Sequence, residues 1–265
     1  MPVFVSIHNK FAIYITIFSI MSYQNSPFRR QGGLNVVITG AGKGMGKATA
    51  DKFAADGNNL FICARNEKEL SETAKELEAK YNCKVFYFSA DLSEKRSAQE
   101  FGNWVLKQTS QVDILINNAG QFIPGSIYNE EDGLLEKMIG INLYAAYNLT
   151  RILLPNMMDK KQGHIFNICS IAALKAYANG GSYSISKFAL MGFSKNLREE
   201  LKPYNIKVTA VYPGAVYTSS WYASGVSESR IMEASDIADV IFASAKLSPQ
   251  ACVEDIVIRP QLEDM

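Results

Sequence analysis

The chain has 265 residues, 48% of them hydrophobic, which is enough to bury one sizeable core. Its 27 Lys and Arg nearly balance 26 Asp and Glu, for a net charge of +1, so there is no bulk attraction to nucleic acid or to an anionic membrane. Two histidines, His8 and His164, are too few for most zinc constellations, so no metal site is predicted, and they leave a Ser-His-Asp hydrolase a single candidate base in His164.

Residues 1–30 differ in character from the rest. Phe11 to Met21 is an apolar run preceded by His8, Asn9 and Lys10. It is too short to cross a bilayer unaided, because a spanning helix needs roughly 20 apolar residues. As a signal-peptide core it lacks a small-x-small cleavage site, since Ser22-Tyr23-Gln24-Asn25 follows. The reading adopted is that Met21 is the start, that residues 1–30 are an N-terminal extension, and that residues 31–265 form one domain.

From Leu34 onward, short apolar runs alternate with amphipathic stretches. Predicted strands are Asn35–Thr39, Leu60–Ala64, Val85–Ser89, Ile114–Asn117, His164–Ile168, Val208–Tyr212 and Val253–Ile258. Most are near-continuous Val, Ile, Phe and Leu, as in strands covered on both faces. Between them, Glu67–Tyr81 places Leu70, Ala74, Leu77 and Tyr81 on one helical stripe. Ser93 and Ser235 are predicted N-caps, and Pro155 and Pro203 are expected near helix ends. Leu134–Met158 reads as one long helical stretch. The alternation predicts an α/β fold: a single-domain Rossmann-type doubly wound sheet of about seven parallel strands, with helices on both faces. Cys63, Cys83, Cys169 and Cys252 form no CxxC pair; three sit in strand-like runs, read as small buried hydrophobes in a reducing compartment.

The first strand runs into Thr39-Gly40-Ala41-Gly42-Lys43-Gly44-Met45-Gly46 and then the helical run Lys47–Ala55. Met45 breaks the GxGxxG spacing; GxxxGxG through Gly40, Gly44 and Gly46 fits instead. A glycine-rich turn here lets the backbone approach a pyrophosphate that the helix N-terminus stabilises. The second strand ends at Ala64, where an NAD enzyme usually has a carboxylate for the ribose hydroxyls. Arg65 follows, and Lys43 lies in the glycine loop. Either cation alone reads as a solvated surface charge. Together they make a clamp for a 2′-phosphate, which favours NADP(H) as the cofactor.

The fourth strand closes on Asn117-Asn118-Ala119-Gly120, and Asn142 follows in a helical stretch. The fifth ends at Cys169-Ser170. Thirteen residues later, Tyr183-Ser184-Ile185-Ser186-Lys187 opens a helix on which Tyr183 and Lys187 share a face. A free tyrosine titrates near pH ~10. A nearby lysine cation and an oxidised nicotinamide would both favour the phenolate. Ser170 would hydrogen-bond the substrate oxygen while Tyr183 exchanges the proton.

These motifs together resemble the short-chain dehydrogenase/reductase family from about Leu34 to the C-terminus. They are TGAGKGMG, Asp91-Leu92, NNAG, Asn142, Ser170, YSISK and Pro213-Gly214. The resemblance implies a catalytic tetrad of Asn142, Ser170, Tyr183 and Lys187, with Asn142 and Lys187 carrying a water relay. It also implies cofactor contacts from the glycine loop including Met45, from Asp91 and Leu92, from Asn117, Ala119 and Gly120, from Tyr183 and Lys187, and from Pro213, Gly214, Val216 and Thr218. A cytoplasmic homodimer or homotetramer reducing a small-molecule carbonyl follows from the same resemblance, without nucleic-acid or membrane partners. A dimer face is expected on the stretch Leu134–Met158 and on the helix opened by Tyr183.

The segments Gly163–Phe166, Pro213–Thr218 with Trp221, and Val257–Pro260 are similar to bacterial sepiapterin reductases, which implies a pterin or dicarbonyl substrate with Trp221 against it. The alternatives are a 3-oxoacyl-acyl-carrier-protein reductase and, in a different class, a non-catalytic NADP-binding module. A serine hydrolase built on Ser170 and His164 lacks both a GxSxG elbow and an orienting acid.

Overall fold

The computed structural model describes residues 33–218, 227 and 230–262. The N-terminal extension and Trp221 lie outside these residues.

In chain order the elements are β1 (Asn35–Thr39), α1 (Gly44–Ala55), β2 (Asn59–Ala64), α2 (Glu67–Lys80), β3 (Val85–Ser89), α3 (Lys95–Gln108), β4 (Ile114–Asn117), α4 (Leu134–Ile139), α5 (Ala145–Lys160), β5 (Gly163–Ile168), α6 (Gly181–Leu201), β6 (Ile206–Pro213), α7 (Ala234–Ala245) and β7 (Asp255–Ile258). The seven strands form one sheet in the order β3-β2-β1-β4-β5-β6-β7. Every pairing is parallel, with Val37 of β1 level with Phe61 of β2 and Leu115 of β4.

The two-residue strand period divides the core between two layers. Val36 and Ile38 point to one face, onto Phe53 of α1, Leu70 and Leu77 of α2 and Ile237 of α7. Val37 and Leu115 point to the other, onto Phe101 of α3, Leu149 of α5 and Leu197 of α6. Burial on both sides explains why these strands read as unbroken apolar runs. The chain order reverses between β1 and β4, so their carboxyl ends open a crevice where ligands bind in sheets of this kind.

Several local expectations are corrected. Residues 134–160 do not form one continuous α-helix: a π-helical turn, Gly140–Tyr144, separates α4 from α5. Pro155 lies inside α5 rather than at its end. The N-cap of α3 is Glu94, while the Ser93 hydroxyl donates to Asp91 at 2.7 Å. The N-cap of α7 is Glu233, in a reciprocal capping box with Asp236, while Ser235 donates to the Glu233 carboxylate. Tyr81 ends α2 as its extended C-cap, with its hydroxyl on Asp51 at 3.0 Å. Of the four thiols only Cys63 lies within a strand, and all four are free.

Candidate active site

The crevice is built from the ends of β1, β4, β5, β6 and β7. Gly40 leaves β1 with φ +67°, a left-handed conformation that favours glycine. A Cβ on Gly46 would stand 2.2 Å from the Gly40 carbonyl oxygen, so the helix start packs directly onto the turn. Lys43 is the N-cap of α1 and makes no side-chain cap, and the first turn of α1 holds no acidic residue. The N–H groups there are left for an outside acceptor, which fits a phosphate.

Asn118 ties this loop to β4. Its Nδ2 donates to the carbonyls of Thr39 at 2.8 Å and Gly40 at 3.2 Å. The Thr39 hydroxyl accepts the backbone N–H groups of Asn118 and Ala119, both at 2.9 Å. Asn117, an expected cofactor contact, points the other way. It is buried, with Nδ2 donating to Thr150 and Asn167, and Asn118 lines the cavity in its place.

A cavity of about 490 Å³ opens over these strand ends. Among the expected residues it is lined by Met45, Gly120, Ser170, Tyr183, Lys187, Pro213, Gly214, Val216 and Thr218. Gly40, Gly44 and Gly46 form the turn at its edge, where a Cβ on Gly44 would touch Thr218 at 3.2 Å. Lys43 and Arg65 are exposed and form no ion pair among the described residues. One carboxylate does approach this corner: Glu69 Oε2 lies 3.8 Å from a Cβ built on Gly42. Asp91 accepts the backbone N–H and hydroxyl of Ser93. The Leu92 side chain is in the core, so only its backbone is left to meet a ligand, while Ala119 is partly buried against the same layer.

Asn142 sits on the π-helical turn, an insertion frequently found at functional sites. Its Oδ1 accepts the Gln121 N–H at 2.9 Å, and its Nδ2 donates to the Gln121 carbonyl and the Ser186 hydroxyl. A Cβ on Gly120 would fall 2.9 Å from Asn142 Oδ1 and 3.4 Å from Lys187 Nζ, so the absence of a side chain there lets both approach. Lys187 is buried and donates to the Ile168 carbonyl at 2.8 Å. Its ammonium lies 5.9 Å from the centre of the Tyr183 ring.

The electrostatics depart from expectation. Burial pushes the Tyr183 phenol up to about 12, against a lowering influence from its hydrogen bond with Ser170. Burial also brings Lys187 down to about 8, opposed by the neighbouring Cys169 thiol. In the protein alone, therefore, desolvation outweighs the Ser170 hydrogen bond, and Tyr183 holds its proton through neutral pH. That state suits a proton donor.

His164 is excluded as a base for Ser170. It is buried in β5, its Nε2 is 2.8 Å from Thr209 Oγ1, its ring stacks on Phe166, and burial drives its pKa down to about 3.

Sequence reasoning missed several residues that the fold brings to the site. Phe122 meets the Tyr183 ring edge-on at 4.8 Å between centroids. Tyr177, Lys175 and Arg259 also line the cavity. Glu130, from the loop after β4, accepts the Ser182 N–H at 2.8 Å and its hydroxyl at 2.5 Å. The only sequence signal for Lys175 and Tyr177 was their place between Ser170 and Tyr183; Arg259 stood within the Val257–Pro260 segment of the narrower resemblance without a role, and Glu130 had no signal.

Residues 34–226 match the short chain dehydrogenase family. An uncharacterised oxidoreductase of Staphylococcus epidermidis is 29% identical over 226 residues, covering 84% of this chain and 96% of that protein. Dehydrogenase/reductase SDR family member 7B of Mus musculus is 36% identical over 187 residues, 69% of this chain and 58% of the mouse protein. Among solved structures, a metagenomic short-chain oxidoreductase in complex with NADP aligns with TM-score 0.76 and 30% identity, over 88% of this chain and 99% of that one. L-sorbose reductase from Gluconobacter frateurii, complexed with NADPH and L-sorbose, aligns with TM-score 0.80 and 25% identity, over 86% and 95% of the two chains.

Proposed function

The chain belongs to the short chain dehydrogenase family, and on that premise we propose that it is an NADP(H)-dependent oxidoreductase reducing a carbonyl to an alcohol. The observation that carries the reading is the convergence of Ser170, Tyr183 and Lys187 on one cavity beside the glycine loop. NADP(H) is favoured over NAD(H) by Lys43 and Arg65 at the exposed corner, and by the NADP and NADPH complexes of the similar structures.

In this reading the uncapped start of α1 would hold the pyrophosphate, Lys43 and Arg65 would hold the 2′-phosphate, and Gly120, Gly214 and Thr218 would border the nicotinamide. When bound, the reduced nicotinamide supplies the hydride. Ser170 orients the substrate carbonyl by hydrogen bonding to its oxygen. Tyr183 donates the phenolic proton to that oxygen, and its raised pKa keeps the proton available. Lys187 stabilises the phenolate that results, and Asn142 fixes the Gln121 backbone that borders the site.

The aromatic walls Phe122 and Tyr177 support a compact, flat substrate, of which a pterin side-chain ketone and a small dicarbonyl are the first examples. Assembly as a homodimer or homotetramer is supported by exposed Tyr144, Tyr147, Ile185 and Phe188 on α5, α6 and the preceding turn. No helix among the described residues is long and apolar enough to cross a membrane. A cytoplasmic location belongs to the same reading, since NADP(H) is supplied there.

The test is loss of reduced-nicotinamide absorbance with a panel of dicarbonyls, pterins and 3-oxoacyl thioesters. Turnover of any of them supports the carbonyl-reductase reading and a silent panel sinks it; turnover of the thioester alone overturns the pterin or dicarbonyl substrate.

A further inference from the structure

We propose that Ser184 is a positioning residue that couples Ser170 to Tyr183, by gripping the 3-10 turn on which Ser170 is held. The role presupposes the carbonyl-reductase reading above. Ser170 and Tyr183 must reach one substrate oxygen, yet they belong to separate segments. Ser170 follows β5 as the N-cap of the turn Ile171–Ala173, whereas Tyr183 is the third residue of α6. A displacement of about 1 Å between reacting groups can cost about 10²-fold in rate, so something must hold the two segments in register.

The link runs through the backbone of Ala172. Its N–H donates to Ser170 Oγ at 3.1 Å, and its carbonyl accepts the Ser184 hydroxyl at 2.7 Å. Ser170, Ala172 and Ser184 are all buried, where a hydrogen bond is stronger than in water. Ser184 is the chain neighbour of Tyr183. Two hydrogen bonds and one peptide link therefore join the serine to the phenol. A hydroxyl has one hydrogen to donate and two lone pairs to accept. By accepting from Ala172, Ser170 Oγ is oriented with its own hydrogen left for Tyr183 or the substrate. A hydrogen bond between Ser170 and the Tyr183 side chain agrees with that orientation.

The direction in which Ser184 sends its hydroxyl departs from the helical habit. A serine inside a helix commonly bonds a carbonyl of its own preceding turn. Ser186 does so with Tyr183 at 2.7 Å, Ser194 with Leu190 at 2.8 Å and Ser244 with Val240 at 2.8 Å. Ser184 instead crosses to the turn after β5, 12 residues earlier in the chain. Its backbone N–H is already paired with the Gly180 carbonyl at 2.8 Å, so the helix does not depend on the hydroxyl. Alanine is the better helix former, so what serine adds at this position is the grip on Ala172.

The experiment deletes that one oxygen and follows the kinetics of the full chain with NADPH and a dicarbonyl that the parent reduces. Ser184→Ala should lower kcat and kcat/KM for the dicarbonyl together, by about tenfold, because the bond matters for placing groups in the transition state. NADPH affinity, read by cofactor fluorescence, should stay within about twofold of the parent and so report a folded chain. Ser184→Cys, which fills the same space with a weak donor, should remain well below the parent. In a Ser170→Ala background, Ser184→Ala should cost less than about twofold, since the group it positions is gone. A kcat for Ser184→Ala within about twofold of the parent overturns the assignment. So does NADPH affinity that falls in step with kcat, which marks a structural residue. A Ser184→Cys variant as active as the parent overturns it too, as does a tenfold cost that persists without the Ser170 hydroxyl. If the parent reduces the dicarbonyl and any of these results appears, only the role of Ser184 falls. If the parent reduces no carbonyl compound, the carbonyl-reductase reading falls with it.

Discussion

The Glu130 carboxylate is clamped onto Ser182, accepting its backbone N–H at 2.8 Å and its hydroxyl at 2.5 Å. Ser182 is the second residue of α6 and the neighbour of Tyr183, and the helix's own N-cap, Gly180, has no side chain to offer. The clamp supplies from 52 residues away what a local cap normally supplies, and places a negative charge at the helix's positive end. The same loop is pinned by Gly125 N–H on the Asn179 carbonyl and Ser126 on the Asn179 side chain. Glu130 is therefore a positioning residue for Tyr183. Glu130→Ala should lower kcat about tenfold while the KM for NADPH stays within about twofold, because small misplacement of a reacting group is costly. Glu130→Gln, whose amide oxygen can still accept, should recover most of the loss. A kcat for Glu130→Ala within twofold of the parent would contradict this.

Cofactor choice turns on the exposed corner. Neutralising Lys43 and Arg65 together should raise the KM for NADPH by about one to two decades, with much less effect on NADH. Equal weakening of both cofactors would show that neither side chain reads the 2′-phosphate.

Acid stability should report His164. Burial, helped by the Lys207 charge, holds its pKa down to about 3, so the folded chain keeps it neutral where the unfolded chain protonates it. Below pH ~6.5 the unfolded state therefore binds the extra proton, and stability falls as pH falls toward the folded value. By pH 5 the loss is roughly 2 kcal/mol, at about 1.4 kcal/mol per pH unit. Urea unfolding of His164→Gln at pH 7 and pH 5 should show a smaller difference between the two pH values than the parent shows. An unchanged difference would assign the acid sensitivity to other groups.

The central strands were legible because burial on both faces leaves mostly apolar residues in them; β1, β3 and β4 have the predicted bounds, β2 and β5 extend them by one residue, and β6 by three. β7 begins two residues later than the apolar run suggests, at Asp255. What failed was of two kinds. Adjacent strand-end residues face opposite ways, so the pair Asn117-Asn118 cannot say which one meets a ligand; the fold turns Asn117 inward to Thr150 and Asn167. Contacts between distant segments leave no local pattern either, as with Glu130 on Ser182 or the Gly214 N–H on the Ile258 carbonyl. The π-helical turn at Asn142 is a third case, since one extra residue per turn barely disturbs a helical hydrophobic stripe.

The central claim is that Tyr183 is the proton donor, and Tyr183→Phe tests it most directly because it deletes the hydroxyl and little volume. Burial holds that hydroxyl protonated, with its pKa pushed up to about 12, so the parent should donate from it across the neutral range. The measurement is carbonyl-dependent NADPH oxidation at saturating cofactor, beside NADPH binding followed by cofactor fluorescence. The account predicts turnover reduced by about 10²–10⁴-fold with cofactor affinity nearly unchanged. Turnover within a few-fold of the parent would contradict it.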